Sequence, residues 1–432
     1  MVHVETGAKL LATLTLLSLF HLIIPLIPTF SESNLHHDMN LLDEHLKAAE
    51  VGAVRVVRVR KDGTGDFKTI TDAVNSIPSG NMRRVVVWIG MGEYREKITI
   101  DMSKRFVTFY GERNGNENDL MPIITYDATA LHYGTLDSAT VAVDADYFVA
   151  VNVAFVNSSP MPDENSVGGQ ALAMRISGDK AAFYNCKFIG FQDTLCDDKG
   201  RHFFKDCYIQ GTYDFIFGNG KSIYLRTTIE SVAKGLNVIT AQARESISED
   251  TGFTFVHCNI TGSGHRNTYL GRGWRRSPRV VFAYTFMDSN VNSRGWYHHE
   301  SNETIYFGEY KCIGPGAASS AGRLKYQRIL SDDEAKPFLS MAYIHGEQWV
   351  RPPPKLTLQN SLEHTFFGNS PLVFPDGSID FAVFQGMHVE SVVLCLYDDD
   401  DTGVEKPALE IDLDPYVNMN HAFDHGLLKK EP

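Results

Sequence analysis

Two aspartates have the residue type and the spacing of a catalytic carboxylate pair. Asp193 lies in the segment Gly-Phe-Gln-Asp-Thr-Leu, and Asp214 lies 21 residues later in Gly-Thr-Tyr-Asp-Phe-Ile-Phe-Gly. If these residues span one coil of a β-solenoid, the two side chains occupy equivalent positions on adjacent coils, roughly 5 Å apart. Carboxylates that close repel each other, which raises the pKa of at least one. The pair then offers an ionised nucleophile or base and a protonated acid at neutral pH.

Two glutamines and an arginine have the chemistry to complete such a site. Gln192 precedes Asp193, and Gln170 lies 22 residues before Gln192. Side-chain amides donate hydrogen bonds to a developing oxyanion. Arg272, in the segment Leu-Gly-Arg-Gly-Trp, can hold an ionised carboxylate through a forked pair of hydrogen bonds.

Two tryptophans offer flat apolar faces for a sugar ring, namely Trp274 and Trp296. Taken singly, these candidates have ordinary structural explanations, because a lone Asp is usually a turn residue and a lone Trp is usually largely buried. Their combination at coil spacing favours a functional site.

The elements that position these residues repeat with a period near 20. Segments 183–188, 204–209 and 255–260 read Phe-Tyr-Asn-Cys-Lys-Phe, Phe-Lys-Asp-Cys-Tyr-Ile and Phe-Val-His-Cys-Asn-Ile. Each is a short β-prone run, and turn residues such as Gly190 and Gly211 follow. This period with β content predicts an all-β solenoid whose coils bury their inward side chains against each other.

Short helices are expected at the ends of the solenoid. Residues 69–78 read as a capped helix after a strand-like run at 57–60, and Ser331 is a plausible N-cap for a second helix. Cys186 and Cys207 should lie one above the other, either as a disulfide or as buried thiols in a ladder.

The N-terminus predicts secretion. Lys9 precedes an apolar stretch that contains Pro25 and Pro28 near its end, and polar residues follow it, as in a cleaved signal peptide. The alternative is a membrane anchor, which the prolines and the lack of a basic stop-transfer cluster disfavour. Three sequons, at Asn157, Asn259 and Asn302, are candidate glycosylation sites.

Charge is uneven along the 432 residues. Residues 355–432 carry 14 acidic and 4 basic side chains, whereas the rest of the chain carries 39 acidic and 36 basic side chains. A nearly neutral body gives no electrostatic footprint for nucleic acid. We divide the chain into a signal peptide (1–32), a lead segment (33–56), a catalytic domain (57–354) and an acidic extension of unknown role (355–432).

The chain resembles the plant pectin methylesterases over about residues 57–354. The resemblance rests on ordered motifs: Asp-Gly-Thr-Gly-Asp-Phe at 62–67, Gly-Glu-Tyr-Arg-Glu at 92–96, Gly-Gln-Ala-Leu-Ala-Met-Arg at 169–175, the two aspartate segments at 190–195 and 211–218, Leu-Gly-Arg-Gly-Trp at 270–274, Tyr-Phe-Gly-Glu-Tyr at 306–310 and Gly-Pro-Gly-Ala at 314–317. It implies a right-handed parallel β-helix and hydrolysis of galacturonate methyl esters. Together with the predicted signal peptide, it leads us to expect a secreted enzyme of the plant cell wall.

The resemblance also implies roles for the site residues. Asp214 attacks the ester carbonyl to form an acyl-enzyme, and Asp193 protonates methanol and then activates water. Gln170 and Gln192 stabilise the oxyanion, and Arg272 keeps Asp214 charged and oriented. The substrate contacts are Thr135, Gln170, Arg272 and Trp274, to which we add Trp296. No metal or cofactor is implied. We expect a monomer with methyl-esterified homogalacturonan as substrate and with a proteinaceous pectinesterase inhibitor as a further partner.

Two positions depart from the family pattern. Tyr213 stands where Val is usual, and Gly273 stands where Pro is usual. Strand alternation turns residue 213 to the face opposite Asp214, so Tyr213 should affect local packing. Gly273 should loosen the backbone between Arg272 and Trp274.

Three other functions compete with an esterase. An inverting galacturonase needs carboxylates roughly 6.5–9.5 Å apart, and a pectate lyase needs calcium-binding acids and an arginine base. A pectin-binding protein with a decayed active site finds support only in Tyr213 and Gly273. Methanol release distinguishes the esterase from all three.

Overall fold

The computed structural model describes residues 42–113, 120–163, 166–297, 304–317 and 322–352, together with four short strands beyond them. The described helices and strands belong to the compact unit from Asp43 to Pro432. The predicted signal peptide, the boundary at Pro354, the sequon at Asn302 and most of the acidic extension lie outside the described residues. None of the described helices is both long and apolar enough to cross a membrane.

Most described strands fall into three parallel sheets. The first sheet contains β1 (Arg55–Val59), β2 (Val85–Ile89), β5 (Val107–Gly111), β8 (Val149–Val151), β11 (Ala181–Tyr184), β14 (Arg201–Lys205), β17 (Lys221–Leu225), β20 (Gly252–Val256), β23 (Arg279–Ala283), β25 (Tyr306–Tyr310) and β26 (Gln327–Ile329). The second contains β3 (Glu93–Arg95), β6 (Ile123–Tyr126), β9 (Ala154–Asn157), β12 (Lys187–Ile189), β15 (Tyr208–Gly211), β18 (Thr228–Ser231), β21 (Asn259–Gly262) and β24 (Phe286–Met287). The third contains β4 (Ile98–Ile100), β7 (Val141–Val143), β10 (Met174–Ile176), β13 (Leu195–Asp197), β16 (Tyr213–Gly218), β19 (Asn237–Gln242) and β22 (Thr268–Gly273).

Each internal strand pairs with the strand one coil before it and one coil after it, which confirms the predicted right-handed parallel β-helix. The register follows the sequence repeat, since Phe188 pairs with Ile209 and Ile209 pairs with Ile229. Two antiparallel hairpins follow in the C-terminal region: β27 (Lys355–Leu356) with β28 (Leu362–Glu363), and β29 (Ser391–Leu394) with β30 (Leu409–Asp412).

Aromatic side chains form a column inside the β-helix. Phe183 stacks on Phe204 with ring centroids 4.8 Å apart, and Phe204 stacks on Tyr224 at 4.5 Å. Phe255 and Phe282 continue the column at 4.5 Å steps. In-register stacking repeats the same buried contact over these five coils, so the coils stabilise each other mainly through apolar burial.

One corner of the coil is made by non-glycine residues in the left-handed conformation. Their φ angles lie between 46° and 56° at Asn152, Asn185, Asp206, Arg226, His257, Tyr284 and Lys311. Asn and Asp tolerate this conformation better than most residues do. Side chains on this corner also contact each other from coil to coil, as in the forked ion pair between Arg226 and Asp206.

The residue after this corner points inward, and it is a cysteine in several coils. Cys186, Cys207 and Cys258 are buried free thiols. The Sγ atom of Cys186 donates to the carbonyl oxygen of Tyr184 at 3.4 Å. Of the two arrangements expected for Cys186 and Cys207, the structure has the thiol ladder.

Helices are short and lie mainly near the chain ends of the solenoid. They are α1 (Glu44–Glu50), α2 (Ile70–Asn75), α3 (Ala130–Tyr133) and α4 (Asp332–Ala335), with 3-10 segments at Leu136–Ser138, Lys336–Phe338, Met341–Ile344 and Gly346–Gln348. Thr69 caps α2 by accepting from the main-chain nitrogen of Asp72, and Ser331 forms a capping box with Glu334 on α4. Both helices were predicted from sequence, whereas α1 was not.

Candidate active site

Asp193 lies in a tight turn that precedes β13. Its φ angle is 62°, and its main-chain nitrogen donates to the carbonyl oxygen of Tyr213 on the next coil, 3.1 Å away. The hydroxyl of Thr194 donates to the carbonyl oxygen of Gln210 at 2.9 Å and ties the same turn to β15. These bonds hold the Asp193 turn against the segment that carries Asp214.

Asp214 lies near the start of β16 and is also left-handed, with a φ of 50°. The pairing between β16 and β19 shifts register between Tyr213 and Ile216, so β16 is irregular at this aspartate. Just before it, a Cβ on Gly211 would lie 2.2 Å from the Cβ of Phe215, so only glycine fits there. The chain is therefore bent at the position that carries the carboxylate.

Arg272 lies on β22, two coils after Asp214, and binds that carboxylate. Its Nε donates to both carboxylate oxygens, at 2.9 and 3.0 Å, and its Nη2 donates to Oδ2. Ala241 pairs with Phe217 of β16 on one side and with Arg272 on the other. Because Ala241 has only a methyl group, the arginine side chain has room to extend past β19 to Asp214.

The two carboxyl groups have unequal electrostatic environments. Asp193 is 8% exposed and Asp214 is 7% exposed. Burial and the neighbouring charge of Asp214 raise the pKa of Asp193 well above its usual value. Burial also raises the pKa of Asp214, but hydrogen bonds from Arg272 oppose that rise. Asp193 is therefore the carboxyl that keeps its proton when Asp214 is ionised.

Gln170, Gln192 and Thr135, the other predicted site residues, are all partly exposed. The main-chain nitrogen of Ala171 donates to the carbonyl oxygen of Gln192 at 3.1 Å, so the two glutamines occupy neighbouring coils. The carbonyl oxygen of Gln170 accepts from the main-chain nitrogen of Ala130 at 2.7 Å, which anchors the loop that leads to Thr135.

The structure places Tyr213 differently from the expectation based on strand alternation. The guanidinium carbon of Arg272 lies 5.7 Å from the centre of the Tyr213 ring. Tyr213 therefore faces the site and not the opposite side of the strand, because the left-handed turn at Asp214 interrupts the alternation of β16. From the sequence, Tyr213 was noted only because the family usually has Val at this position, and its contact with Arg272 was not predicted.

The two tryptophans occupy different environments. Trp274 is 43% exposed and packs edge-on against Phe217, with ring centroids 5.8 Å apart. The guanidinium carbon of Arg275 lies 5.5 Å from the centre of the Trp274 ring, and the exposed part of the ring is accessible to a ligand. Trp296 is fully buried and stacks on Phe307 with centroids 3.9 Å apart. The prediction that Trp296 contacts substrate is wrong, because after the left-handed turn at Gly295 its side chain enters the core.

Gly273 ends β22 and is buried. It pairs with Gln242 of β19, and the main-chain nitrogen of Trp274 donates to the carbonyl oxygen of Gln242 at 3.2 Å. The sheet thus continues through the glycine as far as the tryptophan, which limits the freedom that the sequence suggested at this position.

Comparison with sequence families finds one match over most of the β-helix. The pectinesterase family model matches residues 56–347. A sequence from Arabidopsis thaliana provisionally named pectinesterase 63 is 54% identical over 299 residues, which cover 68% of this chain and 86% of the relative. Pectinesterase 1 from Olea europaea is 50% identical over 317 residues, which cover 72% of this chain and 84% of the relative.

Solved structures give the same result. Pectin methylesterase from carrot superimposes with a TM-score of 0.62 at 32% identity, covering 69% of this chain and 95% of the carrot chain. A pectin methylesterase in complex with hexasaccharide VII superimposes with a TM-score of 0.58 at 26% identity, and the match covers 70% of this chain and 99% of that chain.

Proposed function

The chain belongs to the pectinesterase family and demethylates pectin, and we propose that it does so through a covalent acyl-enzyme on Asp214. The observation that carries this mechanism is the forked pair between Arg272 and Asp214 beside an Asp193 without such a partner. One carboxyl is held as an anion and the other is biased towards its acid form, as a two-step acyl transfer requires.

In the first step, a carboxylate oxygen of Asp214 attacks the C6 carbonyl carbon of a methyl galacturonate. The carbonyl oxygen becomes an oxyanion, which the side-chain amides of Gln170 and Gln192 stabilise by donating hydrogen bonds. When the tetrahedral intermediate collapses, the bond from C6 to the methoxy oxygen breaks. Asp193 gives its proton to that oxygen, and methanol leaves.

In the second step, Asp193 is a carboxylate and takes a proton from water. The resulting hydroxide attacks C6 of the acyl-enzyme, and the bond from C6 to Asp214 breaks. Asp214 is released as an anion that Arg272 again stabilises. The sum of the two steps is hydrolysis of a methyl ester to methanol, a carboxylate and a proton.

Substrate contacts follow from exposure around this pair. Trp274, two residues after Arg272, has an exposed ring, and the partial exposure of Thr135 and Gln170 is compatible with substrate contact. A galacturonate ring stacked on Trp274 would place apolar C–H groups against an aromatic face. Trp296 is omitted from this set because it is fully buried.

The setting of the reaction is part of the proposal. A signal peptide at 1–32, a lead segment at 33–56, a catalytic domain at 57–354 and an acidic extension at 355–432 describe a secreted enzyme of the plant cell wall. We propose that it acts as a monomer on methyl-esterified homogalacturonan and that a proteinaceous inhibitor regulates it.

The test is methanol release from highly methylated pectin by wild type, Asp214→Asn and Asp206→Asn. Asp206 is a matched control because it also binds an arginine through a fork, Arg226, but on the outer corner of the coil. Asp214→Asn should lose about four orders of magnitude or more in kcat, as expected for a covalent nucleophile. Asp206→Asn should keep wild-type activity.

Rapid-quench kinetics should also show a burst of methanol equal to the enzyme concentration if deacylation is the slower step. An Asp214→Asn enzyme that retains more than about 1% of wild-type kcat would place the nucleophile elsewhere. A folded wild type that binds pectin but releases no methanol would favour the decayed-site alternative.

A further inference from the structure

Tyr213 continues a row of side chains that the two glutamines begin. The main-chain nitrogen of Ala171 donates to the carbonyl oxygen of Gln192, and that of Asp193 donates to the carbonyl oxygen of Tyr213, both at 3.1 Å. Gln170, Gln192 and Tyr213 therefore occupy the same position on three successive coils. The residue after each is Ala171, Asp193 or Asp214, so the tyrosine stands beside the nucleophile as Gln192 stands beside Asp193.

The guanidinium of Arg272 contacts both the carboxylate of Asp214 and the ring of Tyr213. Asp214 accepts hydrogen bonds from Nε and Nη2 of Arg272. The central carbon of the same guanidinium lies 5.7 Å from the centre of the Tyr213 ring. A cation this close to a ring centre is attracted by the electron-rich ring face. Both contacts act on the same guanidinium group, so the ring and the carboxylate together limit its motion.

We propose that Tyr213 is a positioning residue for the esterase reaction, whose ring holds the guanidinium of Arg272 in place against the carboxylate of Asp214. This inference rests on the proposed function, because it assigns importance to the pair of Asp214 and Arg272. Tyr213 acts through Arg272 and takes no part in bond making or proton transfer.

Several charged and titratable groups surround this contact. Asp193 lies on the preceding turn, Arg272 on β22, and Tyr297, which also interacts with Tyr213, follows the turn at Gly295. Burial raises the pKa of Asp214, and Arg272 is the group that opposes it. If Arg272 can move away from Asp214, it lowers the pKa of that carboxyl less. Removing the Tyr213 ring should therefore raise the pKa of Asp214.

The consequence is tested with two substitutions of similar bulk, Tyr213→Phe and Tyr213→Leu. Phe keeps the ring face and removes the hydroxyl, whereas Leu fills space without a ring and keeps water out of the site. Tyr213→Leu should lower kcat/KM for methylated pectin by roughly 3- to 30-fold and move the acidic limb of its pH profile to higher pH. Tyr213→Phe should keep the acidic limb at its wild-type position.

A double-mutant cycle with Arg272→Lys separates positioning from general packing. If Tyr213 acts through the guanidinium, Tyr213→Leu should cost much less in the Arg272→Lys background than in wild type, because an ammonium group cannot make the same planar contact. Tyr284→Val, which removes a tyrosine stacked on His257 at the outer corner, serves as a control for loss of an aromatic residue. It should leave the pH profile unchanged.

Two results would overturn the proposal. One is an acidic limb at the same pH in Tyr213→Leu and Tyr213→Phe. The other is that the effects of Tyr213→Leu and Arg272→Lys on kcat/KM are additive. This outcome is distinct from failure of the acyl-enzyme mechanism. The cycle measures coupling between positions 213 and 272 whichever carboxylate attacks, whereas the nucleophile is tested by Asp214→Asn.

Discussion

The main-chain hydrogen bond from Asp193 to Tyr213, 3.1 Å long, sets the carboxyl groups of two successive coils beside each other. Both are buried, yet only Asp214 has a forked arginine partner. One backbone contact thus creates a pair of like groups, and Arg272 makes their proton affinities unequal. The pair should titrate as a coupled unit with two apparent pKa values.

The first prediction concerns the pH dependence of kcat/KM. Activity needs Asp214 ionised and Asp193 protonated, so the profile should be bell-shaped. Because the pKa of Asp193 is raised well above its usual value, the basic limb should lie far above the ordinary aspartate range. Asp193→Asn should abolish that limb and lower kcat about 10²- to 10⁴-fold. The measurement is methanol release across pH.

Asp206→Asn is the control here as well, since it removes a carboxylate on the outer corner. An unchanged basic limb in Asp193→Asn would show that another group supplies the proton to methanol.

The second prediction separates the two tryptophans. Trp274→Ala removes an exposed ring, so KM for pectin should rise roughly tenfold with little change in stability. Trp296→Ala empties a buried site next to Phe307, so the free energy of unfolding should fall by about 3–5 kcal/mol. Pectin kinetics and urea denaturation measure the two effects. A rise in KM for a folded Trp296→Ala without loss of stability would restore Trp296 to the substrate site.

Much of the site could be predicted from sequence because, in a β-helix, residues that are one coil length apart in the sequence lie next to each other in space. The separation of 21 residues between Asp193 and Asp214 equals one coil, and the register of β12 with β15 follows the same step. Arg272 is 58 residues from Asp214, so spacing did not pair them. Its chemistry showed only that it can hold a carboxylate, and the family resemblance implied that the carboxylate is Asp214.

The errors arose where the backbone leaves regular strand geometry. Alternation failed at Tyr213 because Asp214 has a positive φ, which the residue type aspartate permits but does not announce. Trp296 was misplaced because a Gly-Trp pair does not reveal whether the turn sends the ring to solvent or to the core. The thiol state of Cys186 and Cys207 was open because spacing fixes the positions of two sulfur atoms but not their bond.

The third prediction concerns glycosylation of enzyme secreted from a eukaryotic host. Asn259 is exposed at the start of β21. Asn157 is 3% exposed, and its Nδ2 donates to the carbonyl oxygens of Ala128 at 2.9 Å and Leu172 at 3.0 Å. A glycan on that nitrogen has no space in the folded protein, so the active enzyme should carry glycan at Asn259 and none at Asn157.

Glycopeptide mass spectrometry of the purified active enzyme measures occupancy at both sites. Asn259→Gln should lose a glycan and keep activity, which serves as the matched comparison. Asn157→Gln should lower stability because three carbonyl oxygens, including that of Ser138, each lose a hydrogen-bond donor. A glycan at Asn157 in active enzyme would contradict the assignment.

The interior also contains a buried histidine–aspartate pair outside the active site. His202 is fully buried, with Nδ1 2.5 Å from Oδ1 of Asp197 and Nε2 2.9 Å from the carbonyl oxygen of Gly178. Each ring nitrogen faces an oxygen atom, an arrangement that favours the imidazolium form when Asp197 is ionised. The hydroxyl of Tyr224 donates to the other oxygen of Asp197 at 2.7 Å and completes the network.

The fourth prediction follows from this network. Burial alone would lower the pKa of His202, but the charge and hydrogen bond of Asp197 outweigh it, so the pKa is raised. A raised pKa in the folded state stabilises the protein fully below the unfolded value of about 6.5, and this stability is lost as pH rises through the folded value. His202→Gln should therefore reduce the free energy of unfolding by about 3–5 kcal/mol at pH 5.5 and by less at alkaline pH. Urea denaturation at both pH values measures the difference, with His257→Gln at the outer corner as the control, and a loss that does not change with pH would mean that His202 is neutral in the fold.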